Sequence, residues 1–450
     1  MHRLFIKSLI LCGTLALWQP GPLAGQTAMK LSDCIQYAFD KNPQMQIAQL
    51  QIADADWQIK ENTAIGLPQL SAGISYQYFI QRPGVPASVF QFGPPDPGAD
   101  TLGDVKIAFN ARHNLTPTLA VNQLLFSQSY LTGLKAARFY REYVQHQVLV
   151  TKKTIRDQVT DAYLPALLIS ENLGILDKNI ANLEKLLQET AATQEAGFAE
   201  QLDVDRLQLS LSSLRTEHDN LSRQKDIVVN ALKMAMGMPV QENIALTDDL
   251  QKLLPSYADA DVTAELNYMN RPEYVQLLKG RELGMLEADL YRKPWMPTVA
   301  GFIQYQPGWQ GAFAEDTKWF FIPSAVAGIS VNIPIWDGGS TRAKRERAMI
   351  RVQTIDAQKQ QLENALNLEL ENARKQFLNA TARVKSQQSN LELAQRIYNT
   401  TQTKYQAGVG SSFELVTAEQ QLYSAQQALM QAQYDLLTAK VAVKKALGGE

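Results

Sequence analysis

The chain is written twice, and that limits what it can fold into more than any other feature. Leu67-Pro68-Gln69-Leu70-Ser71-Ala72-Gly73-Ile74-Ser75-Tyr76 parallels Met296-Pro297-Thr298-Val299-Ala300-Gly301-Phe302-Ile303-Gln304-Tyr305, and both follow an X-Pro step, Asn42-Pro43 and Arg271-Pro272, at a constant offset of 229. Val121-Asn122 through Phe126 corresponds to Val331-Asn332 through Trp336. Ala196-Gly197 to Gly237 corresponds to Ala407-Gly408 to Gly448, at an offset of 211. Ordered matches over most of both halves imply one plan folded twice: helix, strand, loop, strand, very long helix, glycine turn, second helix. The reading is a first repeat over 26–238, a linker over 239–262 broken by Pro239 and Pro255, and a second repeat over 263–450.

The strands announce themselves by alternation. Residues 70, 72, 74, 76, 78 and 80 are Leu, Ala, Ile, Tyr, Tyr and Ile, while the interleaved 69, 71, 73, 75 and 77 are Gln, Ser, Gly, Ser and Gln. The same period runs from Ala325 to Ile335. Period two gives a sheet one apolar and one polar face. Strands are expected at about 67–80, 115–126, 297–306 and 325–336. A soluble sandwich is the ordinary home of such strands, but these four have no others to cover their apolar faces. About 11 residues at roughly 3.3 Å each, tilted, cross an apolar layer of about 25 Å. Gly and Pro enrich 81–113, and Trp309, Trp319, Phe320 and Phe321 cluster beside the second pair, as an interfacial girdle would. Four strands cannot close a barrel, and lipid tolerates no open edge. The chain must therefore oligomerise, and three copies would supply twelve strands.

The helices are too long for a single globular core. No proline or glycine interrupts the run between Gly339 and Gly408, room for a helix of roughly 100 Å. Ser127 to Gly197 allows a similar one, with Pro165 and Gly174 expected to bend it. Leu415, Leu422, Leu429, Leu436 and Val443 recur every seven residues, with Ala418 to Ala446 three positions later, facing Leu370, Phe377, Val384, Leu391, Tyr398 and Tyr405. That is a coiled-coil seam. The first-half seam runs from Val204 through Leu207, Leu211 and Leu214 to Ala235 and includes His218, read as a seam residue in preference to a ligand or pH sensor. Antiparallel hairpins follow, at about 128–237 and 339–448. The fold class is thus mainly α with a small β portion.

Residues 1–25 read as a signal peptide: Arg3 and Lys7, an apolar run from Leu9 to Trp18, then small and breaking residues. About ten residues are too short to serve as a membrane anchor. Removing Arg3 and Lys7 leaves 41 basic against 45 acidic residues and one cysteine, Cys34, so no intrachain disulfide can form. No basic block suggests nucleic acid. There is no phosphate-cradling loop, nucleophile elbow or close metal-ligand spacing, and the four His are scattered at 2, 113, 146 and 218. Catalysis, cofactors and metals are accordingly not expected. Ser411-Ser412-Phe413-Glu414 is a capping box, and carboxylates in a first helical turn also suit the macrodipole.

In these respects the chain resembles the TolC-type outer-membrane efflux proteins. The resemblance rests on the doubled half, the Leu125-Phe126-Ser127 and Ile335-Trp336-Asp337-Gly338-Gly339 junctions, and the Ala-Gly hairpin turns. It implies a homotrimeric tunnel: a twelve-strand barrel in the outer membrane of a Gram-negative cell, and a helical barrel across the periplasm. It further implies a periplasmic adaptor and an inner-membrane RND or ABC transporter as partners, with this subunit a passive exit duct. The family's gate residues would map to Asp203, Glu414 and Tyr405, and its adaptor-docking turns to Gly197 and Gly408. Gly410 and Thr417 replace the usual basic turn residue and second acid, so the familiar salt-bridge lock does not carry over. Capping alone, or capping combined with a constriction, both fit Asp203 and Glu414. The competing reading is a periplasmic coiled-coil adaptor or scaffold without a barrel, which washing would release.

Overall fold

The computed structural model describes residues 27–86, 106–108, 111–256, 262–311 and 319–449. The expected signal peptide and much of the 81–113 loop lie outside the described residues. The elements run β1 (Thr27–Met29), α1 (Leu31–Lys41), α2 (Pro43–Ala64), β2 (Gln69–Tyr78), β3 (Gly84–Pro86), β4 (Lys106–Ala108), β5 (His113–Phe126), α3 (Gln128–Glu195), α4 (Gln201–Met236), β6 (Ile244–Leu246), α5 (Leu250–Ser256), α6 (Pro272–Leu290), β7 (Thr298–Gly311), β8 (Phe320–Asn332), α7 (Ser340–Gln406) and α8 (Ser412–Ala446). The mainly helical character with a small sheet, expected from the two periodicities, is what the chain adopts.

Two compact units emerge, and each draws on both halves of the sequence. A helical unit comprises the chain to Pro43, Thr154–Thr263 and Asn372–Lys445. A sheet unit comprises Gln44–Lys153, Ala264–Glu371 and Ala446–Glu450. The long helices α3 and α7 contribute residues to both.

In the sheet unit, four strands pair in the order β2-β5-β7-β8, antiparallel throughout. The register brings the period-two pattern of every strand onto one face. Leu70, Val121, Ile303 and Ala327 form one cross-strand row, and Ala72, Leu119, Tyr305 and Ala325 the next. A third row is Tyr76, Leu115, Trp309 and Phe321. Among the described residues nothing covers these rows: Ile74 is 78% exposed and Ile329 69%. Edge strands β2 and β8 leave their outer ladders unpaired among the described residues.

Several strand limits differ from the sequence reading, for identifiable reasons. β8 starts at Phe320 and stops at Asn332. Phe320 and Phe321, expected beside the sheet, pair within it opposite Gln310 and Trp309. Ile333 and Ile335 fall outside, since Pro334 has no N–H to donate to a ladder. β7 continues to Gly311 against β8, with Pro307 opposite Pro323, while toward β5 the pairing lapses between Leu115–Trp309 and Leu119–Tyr305. The four long strands are also not alone. β3 and β4 form a small antiparallel ribbon, and β6, inside the expected linker, pairs in parallel with β1. Pro165 lies inside α3, which continues through it.

The helical unit is packed in the ordinary way. Tyr163, Leu164, Leu167, Leu176, Leu232 and Leu437 are fully buried. Along α8 Leu415, Leu422, Leu429 and Val443 of the heptad series are buried, with Leu436 half-buried beside a fully buried Leu437.

Candidate functional site

The two helical hairpins of the helical unit reverse at matching glycines. Gly197 (φ 80°) and Gly408 (φ 72°) take the left-handed conformation that costs other residues a clash at Cβ. In the first turn Phe198 N–H donates to Thr193 (3.0 Å) and Gly197 N–H to Gln194 (2.9 Å). In the second, Val409 N–H donates to Lys404 and Gly408 N–H to Tyr405, both at 3.0 Å. The last carbonyls of α3 and α7 are thereby satisfied, and the following side chains are thrown outward: Phe198 is 86% exposed and Val409 77%. At Gly410 a Cβ would meet the Tyr405 backbone nitrogen at 3.1 Å. The tight turn itself therefore accounts for glycine replacing a basic residue.

Beyond the turns, the first residues of α4 and α8 meet. Asp203 accepts from the Glu200 N–H at 3.3 Å, closing a capping box on α4. Its other carboxylate oxygen accepts the hydroxyl of Ser412, a buried residue at the start of α8. Arg206 Nη1 donates to the same hydroxyl at 3.4 Å and lies over the Phe413 ring. Asp203 thus ties one hairpin to the other inside a single chain. Glu414 is exposed, and its N–H donates to Ser411 Oγ at 3.2 Å, the cap expected there. Tyr405 is half-buried, exchanging a 3.2 Å hydrogen bond with the Thr190 hydroxyl. It packs on the cluster of Leu183, Leu186, Leu207, Leu211 and Leu415. The structure therefore places Asp203, Tyr405, Gly197 and Gly408 in one continuous tip, with Glu414 on its surface.

One residue of this tip escaped the sequence reading. Glu419, one helical turn beyond Leu415, is only 7% exposed, and its Oε2 has no hydrogen-bond partner. Burial away from water lifts its pKa to about 7. The Tyr398 hydroxyl on α7 is raised too, by its own burial and then by the charge of Glu419. His218, the polar seam residue, lies 3.2 Å from Asp177 and 3.5 Å from Asp219. Among the described residues no cluster of His, Cys, Asp and Glu could hold a metal ion, and no helix is long and apolar enough to cross a membrane.

Among the described residues, an uncovered amphiphilic sheet with open edges and long paired helices make up the fold that solved outer-membrane channels share. Residues 270–449 match the family model described as outer membrane efflux protein. Among curated relatives, the pyoverdine export outer membrane protein OpmQ of Pseudomonas aeruginosa is 25% identical over 336 residues, covering 72% of this chain and 65% of that protein. The toluene efflux pump outer membrane protein TtgC of Pseudomonas putida is 23% identical, covering 61% of this chain and 56% of the relative. The chain thus spans less than two thirds of the length of these relatives. The alkaline protease secretion protein AprF of Pseudomonas aeruginosa is 23% identical over 92% of this chain and 83% of its own length. Among solved structures, the Campylobacter jejuni CmeC outer membrane channel superposes with a TM-score of 0.69 at 14% identity, covering 99% of this chain and 94% of that one. VceC of Vibrio cholerae superposes with a TM-score of 0.66 at 16% identity, over 93% and 96%. The family is one of channel and transport proteins.

Proposed function

We propose that this chain is the outer-membrane exit duct of a tripartite efflux or type I secretion system, passive in itself and working as a homotrimer. The sheet carries this reading. Its aligned apolar rows have no cover, and both edge ladders are open, arrangements that lipid and further copies of the chain would satisfy together. Relatives named for pyoverdine export, toluene efflux and alkaline protease secretion support a conduit role for small solutes or proteins. In this reading residues 1–25 are an export signal, and two repeats, 26–238 and 263–450, flank the 239–262 linker.

A periplasmic adaptor would dock at the Gly197 and Gly408 turns, where Phe198 and Val409 stand out as apolar contacts. An inner-membrane RND or ABC transporter would supply the energy. Asp203, Glu414 and Tyr405 would form the constriction, with threefold symmetry turning exposed Glu414 into a ring of three carboxylates. Asp203, engaged by Ser412, would hold the two hairpins in register.

Detergent-purified protein should run as a trimer and conduct in planar bilayers, and Asp203→Asn with Glu414→Gln together should change conductance or cation preference. A stable, detergent-independent monomer would overturn the duct. Unchanged single-channel behaviour in the double variant would remove the gate alone.

A further inference from the structure

The end of the sheet from which the long helices leave is strongly basic. β2 begins and β5 ends there, as do β7 and β8. The segments 60–68, 127–138, 289–297 and 337–348 that border it hold nine basic and four acidic residues, a net charge of +5. The whole chain carries −2.

Six of the nine lie on the second repeat: Arg292, Lys293, Arg342, Lys344, Arg345 and Arg347, all exposed. Lys344 Nζ lies 6.0 Å from the centre of the Tyr291 ring, which brings the first turns of α7 beside the α6–β7 turn that carries Arg292 and Lys293. Of the acids nearby, Asp337 is committed to capping α7 through the Gly339 and Thr341 N–H groups. Asp289 lies 3.8 Å from Arg292. No acidic residue occupies the first turn of α7. Arg342 lies in the first turn of α7, where a cation opposes the macrodipole, and Lys344, Arg345 and Arg347 follow with Glu346 the one acid among them. Two exposed indole rings flank these cations in sequence, Trp336 before Arg342 at 85% exposure and Trp295 after Lys293 at 64%. Indole rings at the apolar boundary with cations just beyond match the depth profile of a phospholipid leaflet.

We infer that this rim is a binding surface for the headgroups of anionic phospholipids in the periplasmic leaflet of the outer membrane. The inference rests on the outer-membrane placement of the sheet and adds the lipid class that its inner boundary selects. Each Lys or Arg held near an anionic surface strengthens attachment several-fold, and the effect fades with salt.

The test uses the full mature protein in neutral dodecylmaltoside micelles doped equally with phosphatidylglycerol and phosphatidylcholine, with retained lipid quantified after washing. Wild type should retain phosphatidylglycerol at least tenfold over phosphatidylcholine, and half-molar salt should abolish the preference. R342Q/K344Q/R345Q/R347Q should lose it, R342K/R345K/R347K should keep it, and K375Q/K385Q/R396Q/K404Q, four exposed cations of α7 in the helical unit, should leave it intact. Equal retention of the two lipids by wild type overturns the inference, as does equal loss in the distant variant. Retention of added lipopolysaccharide in place of phosphatidylglycerol also overturns it. If the glutamine variant fails to assemble, the headgroup and salt dependence of wild type decides alone. A variant that still needs detergent yet loses the preference leaves the channel reading untouched, whereas loss of membrane association by wild type would count against that reading instead.

Discussion

The two units of this molecule solve the burial problem in opposite ways. All twelve of the largest fully buried side chains, from Ile155 and Tyr163 to Leu415 and Leu437, belong to the helical unit. The sheet unit has none of them, and every residue of β2 is exposed. Yet the sheet is no less apolar in its rows than the helices are in their seams. The difference lies in what covers the apolar surface. The helical unit supplies its own cover, while the sheet leaves that to surroundings outside the chain. A sequence can therefore be equally well patterned in two regions and still be self-sufficient in only one.

The strongest way to break this comparison is to charge the uncovered face. Ile303→Arg places a cation in the middle of an apolar row and should cost about 2–4 kcal/mol per copy at the centre of a bilayer. Loss of membrane-assembled protein on fractionation is expected, while Gln304→Arg on the opposite face should assemble. Normal assembly of Ile303→Arg would mean that the face does not meet lipid. Of comparable size is Leu207→Ala in the helical unit, where Leu207 is fully buried. Truncating such a core residue should cost about 2–5 kcal/mol. Ile74→Ala, on the exposed sheet, should barely shift the thermal unfolding of the detergent-solubilised protein's helices followed by circular dichroism.

The subtlest test concerns Glu419, whose buried Oε2 in the helical unit has no hydrogen-bond partner. Its pKa rises from the ordinary 4.5 to about 7 on burial. Below pH 4.5 the carboxyl is protonated whether folded or unfolded, and burial carries no ionisation penalty. As pH climbs from 4.5 to 7 the unfolded chain ionises first, so stability falls across that window and levels off above it. Glu419→Gln should abolish this fall and raise neutral-pH stability by roughly 1–3 kcal/mol. An unchanged pH profile in calorimetry would show that the carboxyl is hydrated in solution.

The sequence revealed the fold where a period persisted and hid it where structure depended on encounter. Alternation from Leu70 to Ile80 and heptads from Leu415 to Leu429 each specify a face without help from elsewhere. The three-residue strands β1 and β6 have no period to read, and they find each other across more than two hundred residues. Pro307 and Pro323 look like strand breakers singly, yet both strands continue with the two prolines opposite one another. At the tip, the glycine turns and the caps of Asp203 and Ser411 were legible because capping is local. The bond from Ser412 to Asp203 was not, since it exists only where two hairpins meet. Glu419 reads as one more polar residue between Ala418 and Gln420, and its burial is a property of its neighbours.

The central β5–β7 pairing has a further consequence. It sets a strand from the first half of the chain against one from the second, and it leaves β2 and β8, again one from each half, as the free edges. A closed ring of such chains would alternate half with half at every boundary, whether or not a peptide bond bridges it. An ancestral single-length gene could then have built the same pore from twice as many copies. Fusion would have released each half to specialise, and the pairing of Asp203 from one with Ser412 from the other is the kind of asymmetry that only a fused gene can fix.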